Sequence, residues 1–354
     1  MATKKTKVVV AMSGGVDSSV TAALLLEQGC EVSGVSLRLW EYKTDDPKNC
    51  SDYSGARAVA DLIGIPHTLL DARAEFREEV AETFARAYLQ GRTPNPCVAC
   101  NRDFKLGRLM SWARERGADY LATGHYARVA RDPSGRAGLM RGHDPKKDQS
   151  YFLFSLSQEQ LAFTLFPLGE LHKSEVRARA RQLGLPVAGR PDSQDICFGD
   201  YRALVESFAR KEDLGGGEIV DRSGAVLGEH RGIHRLTVGQ RKGLGLSAAE
   251  PLYVLEIDAA SRKVVVGKKA ELRCKGLAAG SVNWIEPPAG DEISAEVQIR
   301  YRAPAVPCVL RRDGDERLNV FFREASPSVT PGQAAVFYQG ERVLGGGWIE
   351  RAIH

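Results

Sequence analysis

A glycine-rich segment near the N-terminus has the residue types that bind phosphate groups. Residues 13–19 read Ser-Gly-Gly-Val-Asp-Ser-Ser, directly after an apolar, strand-like run and directly before a helical pattern. Two adjacent glycines permit a tight turn whose backbone N–H groups meet an anion with no Cβ in between. The helix N-terminus adds partial positive charge, and Ser13 and Ser18 add hydroxyl donors. The Gly-Lys-Ser/Thr ending of a Walker A loop is missing. We therefore predict a phosphate loop of another type, with an ordinary glycine turn as the alternative.

Two cysteines of residues 91–101 form a Cys-x-x-Cys pair, Cys97 and Cys100. Two prolines in this segment predict an extended loop, with Cys100 at the start of the following helix. The helix end and the neighbouring basic residues Arg102 and Lys105 would favour the thiolate of Cys100. Such a pair is also compatible with a redox pair, half of a zinc site, or chance.

A third cysteine, Cys197, ends the segment Asp-Ser-Gln-Asp-Ile-Cys and lies close to Arg190. A structural zinc site would need a second cysteine pair or histidines at ligand spacing. Cys197 is the only distant candidate for a further ligand and would be only the third, so a four-cysteine zinc site is disfavoured.

The composition is that of a globular protein. Of 354 residues, 43% are hydrophobic and 27% charged, which allows two or three domains and excludes wholesale disorder or a disulfide-stapled fold. No apolar run approaches the roughly 20 residues that span a bilayer, and the N-terminus does not resemble a signal peptide. Seven scattered cysteines fit a reducing compartment. We therefore predict a cytoplasmic protein with no membrane partner.

The positive charge is concentrated in one part of the chain. The net charge is only +4, but residues 101–150 contain eleven Lys or Arg against six Asp or Glu. This surplus is compatible with a nucleic-acid contact or with a solvated helix face and loop.

The first two hundred residues alternate strand and helix patterns. Such alternation predicts βαβ units, an α/β fold with a parallel sheet, and ligands beyond the carboxyl ends of the strands. Predicted strands cover residues 7–12, 31–39, 67–70 and 120–122, and predicted helices cover 17–28, 53–63, 75–89 and 104–116.

After residue 200 the pattern changes to β. Residues 201–210 are predicted helical, and 252–257 with 263–266 are predicted to form a hairpin. Alternating apolar residues at 297–301 and 318–322 predict strands of a small barrel or sandwich. On this interpretation Arg300 and Tyr301 lie on a strand. We divide the chain into domains at residues 1–200, 201–275 and 276–354.

Eight segments, in order along the whole chain, resemble those of the bacterial tRNA-specific 2-thiouridylases. Residues 13–18 are similar to the SGGxDS loop of the PP-loop ATP pyrophosphatases, the superfamily of these enzymes. The other matching segments are residues 93–97, 122–126, 147–153, 192–197, 237–245, 300–302 and 331–333.

This resemblance implies a fold and a reaction. The implied fold is a PP-loop domain of the adenine nucleotide alpha hydrolase type, a small central domain, and a C-terminal β-barrel that binds tRNA. The implied reaction inserts sulfur at carbon 2 of the wobble uridine, position 34. Adenylation by ATP, with Mg²⁺ near Asp17, releases pyrophosphate and turns the carbon 2 oxygen into an AMP leaving group.

The resemblance also implies roles for individual residues. Cys197 is implied to carry the persulfide, and Cys100 to be the nucleophile that closes a disulfide with it. The implied ATP-binding residues are Ala11, Met12, Ser13, Gly14, Gly15, Val16, Asp17, Ser18, Leu37 and Gly124. The implied contacts to tRNA or its target base are Asn95, Pro96, Cys97, His125, Lys147, Asp148, Gln149, Arg300, Tyr301 and Gln333. Plain structural roles are the alternatives for three of these: Leu37 in the core, His125 as a supporting hydrogen-bonding group, and Gln333 in a turn.

Cys97 departs from the commoner pattern, in which an aspartate occupies this position. Cys97, Cys100 and Cys197 could together hold three irons of a [4Fe–4S] cluster and leave the fourth open to sulfide. The sequence therefore permits a persulfide relay or cluster-bound sulfide, and we favour the relay.

The implied partners are wobble-uridine tRNAs, of the Lys, Glu and Gln types, and a cysteine desulfurase or sulfur-relay protein. Two other functions remain as alternatives: a PP-loop amide-forming ligase, and a non-catalytic RNA-binding module. The reactive cysteines count against the ligase. The intact Asp17 and the same cysteines count against a non-catalytic RNA-binding module.

Overall fold

The computed structural model describes residues 4–40, 53–192, 196–314 and 316–354. Residues 193–195, part of one family-like segment, lie outside the described residues. The chain divides into two compact units. Unit one comprises Met1–Arg77, Cys97–Gly199 and Glu341–Val343, and unit two comprises Glu78–Pro96, Asp200–Gly340 and Leu344–His354. In the described ranges, no helix is long and apolar enough to cross a membrane.

Unit one contains the predicted parallel sheet. Its strand order is β3-β2-β1-β4-β7, so that β1 lies in the centre. The strands are β1 Lys7–Ala11, β2 Glu31–Arg38, β3 His67–Asp71, β4 Tyr120–Thr123 and β7 Thr164–Leu165. The chain leaves β1 towards β2 on one side, while β4 lies on the other. This point of reversal, between β1 and β4, is where open α/β sheets bind ligands.

Helices and one hairpin complete unit one and lead into unit two. The helices are α1 Val16–Glu27, α2 Tyr53–Ile63, α3 Arg73–Phe76, α4 Thr83–Leu89, α5 Pro96–Ala99, α6 Leu109–Glu115, α7 Gln158–Phe163 and α8 Lys173–Gln182. π-helical segments, Arg77–Glu82 and Cys100–Arg108, connect α3 to α4 and α5 to α6, and Ser150–Phe152 forms a 3₁₀ turn. The hairpin consists of β5 Ala127–Arg131 and β6 Ala137–Arg141.

The predicted extended loop around the Cys-x-x-Cys pair is wrong in its second half. The chain is helical without interruption from Pro96 to Glu115, eight residues earlier than predicted. Pro96 is the first helical residue, where its missing N–H costs no hydrogen bond and its fixed φ suits the helix. Cys97 therefore lies in the first turn, and Cys100 lies one turn further along.

Unit two contains a helix, a small sheet and a closed barrel. The helix is α9 Tyr201–Phe208, and 3₁₀ turns cover Lys211–Leu214, Ile233–Arg235 and Lys269–Leu272. The small sheet has the order β10-β11-β8-β9, formed by β8 Gly217–Val220, β9 Val226–His230, β10 Tyr253–Asp258 and β11 Lys263–Gly267. Strands β10 and β11 are antiparallel neighbours, which confirms the predicted hairpin.

The C-terminal strands form a six-stranded barrel that closes because β12 pairs with both β15 and β17. The strands are β12 Arg273–Trp284, β13 Glu292–Gln298, β14 Val306–Arg312, β15 Leu318–Pro327, β16 Ala334–Gln339 and β17 Arg342–Ile353. Alternate apolar residues fill its interior, among them Leu277, Val297, Leu310, Val320 and Phe337.

The prediction that Arg300 and Tyr301 lie on a strand is wrong. β13 ends at Gln298, and the next residues form a turn. Arg302 has φ +64°, a left-handed conformation that no extended strand contains. The apolar alternation continues past Gln298, but the backbone bends there.

Candidate active site

The loop between β1 and α1 has the backbone geometry of an anion site. Gly14 has φ +77°, a conformation that favours glycine, and Gly15 precedes the first helical residue. The backbone N–H of Ser13 donates to Oγ of Ser18 at 3.1 Å, and Oγ of Ser19 donates to the carbonyl of Gly15 at 2.8 Å. The loop is thus closed by its own hydroxyls, with the N-terminus of α1 behind it.

Gly124 brings the end of β4 against this loop. A Cβ on Gly124 would lie 2.7 Å from the backbone nitrogen of Ser18 and 2.8 Å from the carbonyl carbon of Asp17. Only glycine fits this approach. Two of the predicted ATP-binding segments therefore meet at the point of reversal of the sheet.

The other predicted ATP-binding residues lie at the same edge. Met12 and Val16 are buried, at 2% and 4% exposure, so their side chains belong to the core of unit one. Ala11 ends β1, and Leu37 is partly exposed near the end of β2. Their ATP contacts stay predictions.

Asp17 forms an ion pair that sequence analysis missed. Nζ of Lys173, the first residue of α8, lies 2.6 and 2.8 Å from the two carboxylate oxygens of Asp17. The hydroxyl of Tyr126 also donates to Asp17, at 2.9 Å. Burial first, and then the charge of Asp17, raise the pKa of Tyr126, so the phenol keeps its proton. The side chain of Lys173, which is only 10% exposed, thus places an ammonium group beside the phosphate loop.

Asp192 forms salt bridges with three cationic side chains. Nζ of Lys147 lies 2.6 Å from its carboxylate, Nζ of Lys173 lies 2.9 Å away, and Nη2 of Arg177 lies 2.6 Å away. Burial alone would raise the pKa of Asp192, but hydrogen bonds from Lys147 and Lys173 outweigh it and hold the pKa at about 2. Lys173 and Arg177 are four residues apart on α8, so they share a helix face. That spacing is the signal that could have found them.

These contacts leave the site with excess positive charge. Nη1 of Arg190 donates to the carbonyl of Gly14 at 3.1 Å, which adds a fourth cation beside the loop. Among the described residues, the cations Lys147, Lys173, Arg177 and Arg190 thus lie near three carboxylates: Asp17, Asp192, and Asp144, which accepts from the backbone N–H of Lys173 at 3.0 Å. A cationic, partly buried cleft next to a phosphate loop suits a polyanion such as a triphosphate.

The polar segment Lys147-Asp148-Gln149 is held by unit one itself. Asp148 accepts from the backbone N–H groups of Gly142 and Ser150, both at 3.0 Å, and from Arg141. Oε1 of Gln149 accepts from the backbone N–H of Tyr126 at 3.0 Å. These bonds shape the loop around the site, and the predicted tRNA contacts of the three residues stay predictions.

The basic surplus of residues 101–150 is largely paired within unit one. Arg108 lies 2.8 Å from Glu75, Arg128 lies 2.8 Å from Glu341, and Arg114 pairs with Glu159. Much of this segment's charge is therefore neutralised locally, and its predicted contact with RNA phosphates stays a prediction.

The helix that carries Cys97 and Cys100 has a π-helical segment held by a buried side chain. Nε2 of Gln160 donates to the carbonyls of Arg102 at 2.6 Å and Leu106 at 3.0 Å. Gln160 is 8% exposed. A Cβ on Gly107 would lie 2.7 Å from the Arg102 oxygen, so glycine is needed where the π-helical turn closes. Insertion of a side chain is a known cause of such irregular helices, which are frequent at functional sites.

The three cysteines differ in exposure. Cys100 is buried at 5%, whereas Cys97 and Cys197 are partly exposed, and all three are present as thiols. Among the described residues, no group of three or more His, Cys, Asp or Glu side chains is arranged to hold a metal ion. As they stand, the three thiols therefore do not form a cluster ligand set.

An aromatic cluster links the segment of Cys197 to the helix of Cys100. The ring of Phe198 lies 6.3 Å from that of Phe76 and 6.1 Å from that of Trp40, between ring centroids. Phe76 contacts Phe104 edge-to-face at 5.4 Å. Phe104 follows Cys100 by four residues, about one helical turn. The neighbours of the two cysteines therefore share one hydrophobic anchor, which sequence analysis missed.

His125 is a buried, neutral histidine. Its Nδ1 lies 2.7 Å from Oγ1 of Thr123, and its ring meets Phe166 edge-to-face at 6.0 Å. Burial first, and then the charge of Lys105, lower the pKa of His125 to about 3. The predicted contact of His125 with tRNA stays a prediction. In such a contact the imidazole of His125 would be uncharged.

The depressed pKa of His125 should make folding sensitive to acid. An unfolded histidine takes up a proton near pH 6.5, which the folded ring resists, so stability is full above pH 6.5 and falls as pH drops towards 3. We expect His125→Gln to lose less stability than the wild type between pH 7 and pH 5, by about 2 kcal/mol. Urea midpoints at the two pH values measure this. His172→Gln, at a 49% exposed side chain, is the control. If His125→Gln had the same pH dependence of stability as the wild type, the lowered pKa of His125 would be contradicted.

Known protein families match almost the whole length of this chain. Three family models match in order: a tRNA methyl transferase HUP domain over residues 6–200, a tRNA methyl transferase PRC-barrel domain over 207–268, and an aminomethyltransferase beta-barrel domain over 274–349. The tRNA-specific 2-thiouridylase MnmA of Geotalea uraniireducens is 51% identical over 99% of this chain and 96% of its own length. That of Geobacter metallireducens is 51% identical over 98% and 97%.

A more distant likeness is found among solved structures. The U34-tRNA thiolase NcsA from Methanococcus maripaludis, with its [4Fe-4S] cluster, is 20% identical and covers 58% of this chain and 66% of its own, with a TM-score of 0.36. The relatives that match nearly the whole chain at about half identity are 2-thiouridylases, so the chain shares the full length of that family.

Proposed function

The chain belongs to the tRNA-specific 2-thiouridylases, and from this membership we propose how its residues divide the reaction. As a member of this family it is a tRNA sulfurtransferase that uses ATP. The proposal assigns adenylation to the phosphate loop with its cationic cleft, and sulfur transfer to the cysteines. The observation that carries it is the meeting of Asp17, Lys173 and Gly124 at the point of reversal of the sheet.

In the first step the carbon 2 oxygen of uridine 34 attacks the α-phosphate of ATP, and pyrophosphate leaves. The backbone N–H groups of the loop and the ammonium of Lys173 stabilise the negative charge that develops on the phosphates. Mg²⁺ bound with ATP would supply further charge neutralisation near the carboxylate of Asp17. Asp192 keeps Lys147 and Arg177 in place around the same polyanion.

In the second step a sulfur atom replaces the activated oxygen. Cys197 is partly exposed, so an external donor such as a cysteine desulfurase or relay protein can load it with a persulfide. The terminal sulfur attacks carbon 2, and AMP leaves. Cys100, shielded by burial, then attacks the inner sulfur of Cys197, which releases the thiolated base and forms a disulfide between them. An external thiol must reduce this disulfide before the next turnover.

The substrate and the remaining partners follow from this chemistry. The tRNA substrate is that of the family, and we assign the target to the wobble uridine of Lys, Glu and Gln tRNAs in the cytoplasm. Asn95, Pro96 and Cys97 would contact the base, while Arg300 and Tyr301, in a turn of unit two, would contact the RNA. Flipping a base out of an anticodon loop costs little, because that loop is already splayed.

Replacing Cys97 distinguishes the relay from the cluster alternative. In the relay, Cys97 lies near the base and donates no sulfur, so Cys97→Asp and Cys97→Ser should form 2-thiouridine within about threefold of wild type. In a cluster, Cys97 would be an iron ligand that neither replacement matches, because thiolate is the softer ligand. The measurement is 2-thiouridine formation with a persulfide donor in air, and again without oxygen after cluster reconstitution.

Cys30→Ser, at a partly exposed cysteine of the same unit, is the matched control. Full aerobic activity of both Cys97 variants would exclude an obligatory three-cysteine cluster. Activity confined to reconstituted wild type, with a broad absorption band near the violet end of the visible spectrum, would overturn the relay.

A further inference from the structure

The backbone of Thr93 is held on both sides by one turn of unit two. The N–H of Thr93 donates to the carbonyl of Pro331 at 2.9 Å. Its own carbonyl accepts from Nε2 of Gln333 at 2.7 Å. A third contact, at 3.5 Å, joins Oγ1 of Thr93 to Oγ1 of Thr237. Three segments that are far apart in sequence thus meet at this one residue.

The turn that holds Thr93 is itself fixed to the barrel. The backbone N–H of Gly332 donates to the carbonyl of Ile349 at 2.8 Å, and the N–H of Ile349 donates to the carbonyl of Gln333 at 2.8 Å. Ile349 belongs to β17 and is 2% exposed. The side chain of Gln333 therefore projects from a rigid base.

Gly332 allows the two backbones to approach closely. It has φ +91°, and a Cβ there would lie 2.9 Å from the nitrogen and 3.0 Å from the carbonyl carbon of Thr93. Both neighbours are backbone atoms, which cannot turn aside as a flexible side chain could. Any larger residue would displace Thr93.

The position of Thr93 fixes that of the residues after it. Pro94 and Pro96 each lock φ near −65°, and each also restricts the residue before it to extended conformations. Between Thr93 and the helix that starts at Pro96 the chain has few remaining torsions. The position of Thr93 therefore also determines the position of Asn95, which lies between the two prolines.

We infer that Gly332 and Gln333 are positioning residues that hold residues 93–96 in the geometry needed for the target base. The inference rests on the proposed base contact of Asn95 and Pro96, and it gives Gln333 a task other than touching RNA. Because the loop is ordered before tRNA arrives, the bound base meets a preformed contact and no ordering cost falls on binding.

Hydrogen exchange of the full chain without tRNA tests directly whether Gly332 and Gln333 hold residues 93–96 in place; we call these contacts the clamp. Gln333→Glu keeps the side-chain length but has no N–H to donate, while Gln333→Lys restores a donor of similar reach. We expect the amides of Arg92, Thr93, Asn95 and Cys97 to exchange roughly 2- to 12-fold faster in Gln333→Glu, the factor that corresponds to one ordinary hydrogen bond. Gln333→Lys should return towards wild type, and Gly332→Ala should exchange at least as fast as Gln333→Glu. Gln339→Glu, at an exposed glutamine of the same barrel, is the control.

A second readout separates positioning from RNA contact. In single turnover at saturating tRNA, Gln333→Glu should thiolate more slowly by a similar factor, with tRNA affinity changed less than twofold. Weakened tRNA binding with unchanged exchange would overturn the inference and leave Gln333 as an RNA contact only. Unchanged exchange in both Gln333→Glu and Gly332→Ala would overturn it as well. If the wild type failed to thiolate, the proposed function would fall, while the exchange comparison would still decide whether the clamp exists.

Discussion

Asp17→Asn is expected to lower pyrophosphate release by roughly 10²- to 10³-fold, the loss typical of removing one charged or dipolar group from an active site. The carboxylate stands at the phosphate loop, where it orients Lys173 and would bind the metal that accompanies ATP. The fold should survive, because Lys173 keeps Asp192 as a partner at 2.9 Å and no buried charge is left alone. The measurement is pyrophosphate release in the presence of unmodified tRNA.

Asp61→Asn provides the matched control. Asp61 is a carboxylate of the same unit, paired with Arg57 on the surface of α2 at 3.0 Å, with 62% of its side chain exposed. Its replacement should leave release unchanged. Release at the wild-type rate in Asp17→Asn would remove the assignment of adenylation to this loop.

Cys100→Ser and Cys197→Ser are expected to abolish 2-thiouridine formation and to keep pyrophosphate release within a few-fold of wild type. Adenylation needs no thiol, whereas sulfur transfer needs both. The two variants should differ in one respect: Cys100→Ser should still accept a persulfide on the more exposed Cys197, and Cys197→Ser should accept none. Nucleoside analysis of the tRNA and the mass of the intact protein after exposure to a persulfide donor measure these outcomes.

Each cysteine variant controls for the other. A persulfide found on Cys100 in Cys197→Ser would reverse the proposed roles. Loss of pyrophosphate release in both variants would mean that adenylation and sulfur transfer cannot be separated in this enzyme.

The parallel sheet and the phosphate loop could be predicted because their signals are local. A buried strand, two glycines and a helix follow each other within about twenty residues, so the loop needs no distant partner to be recognised. Tyr53–Ile63 likewise has a strong amphipathic pattern, and the helix has the predicted bounds.

Elements that depend on distant contacts could not be predicted in the same way. Lys173 reaches Asp17 across 156 residues of sequence, and Gln160 reaches Arg102 across 58. The spacing of Lys173 and Arg177 marks a shared helix face, but nothing in the local pattern identifies Asp17 as the partner of Lys173 or Arg102 as the partner of Gln160. The start of the helix at Pro96 is hard to predict for another reason, because proline is common in extended chain and equally suited to a first helical turn.

The π-helical segment that Gln160 holds has a consequence for the timing of sulfur transfer. Each hydrogen-bonded ring of a π-helix contains one residue more than an α-helical ring, so a return to α-helical bonding would shift the register of the helix by one residue. Shifts of helix register take microseconds to milliseconds, whereas a typical enzyme turns over about ten times per second. On these timescales a change of register in the segment from Cys100 to Arg108 would fit within one catalytic cycle, at the cost of the two hydrogen bonds with which Gln160 holds it.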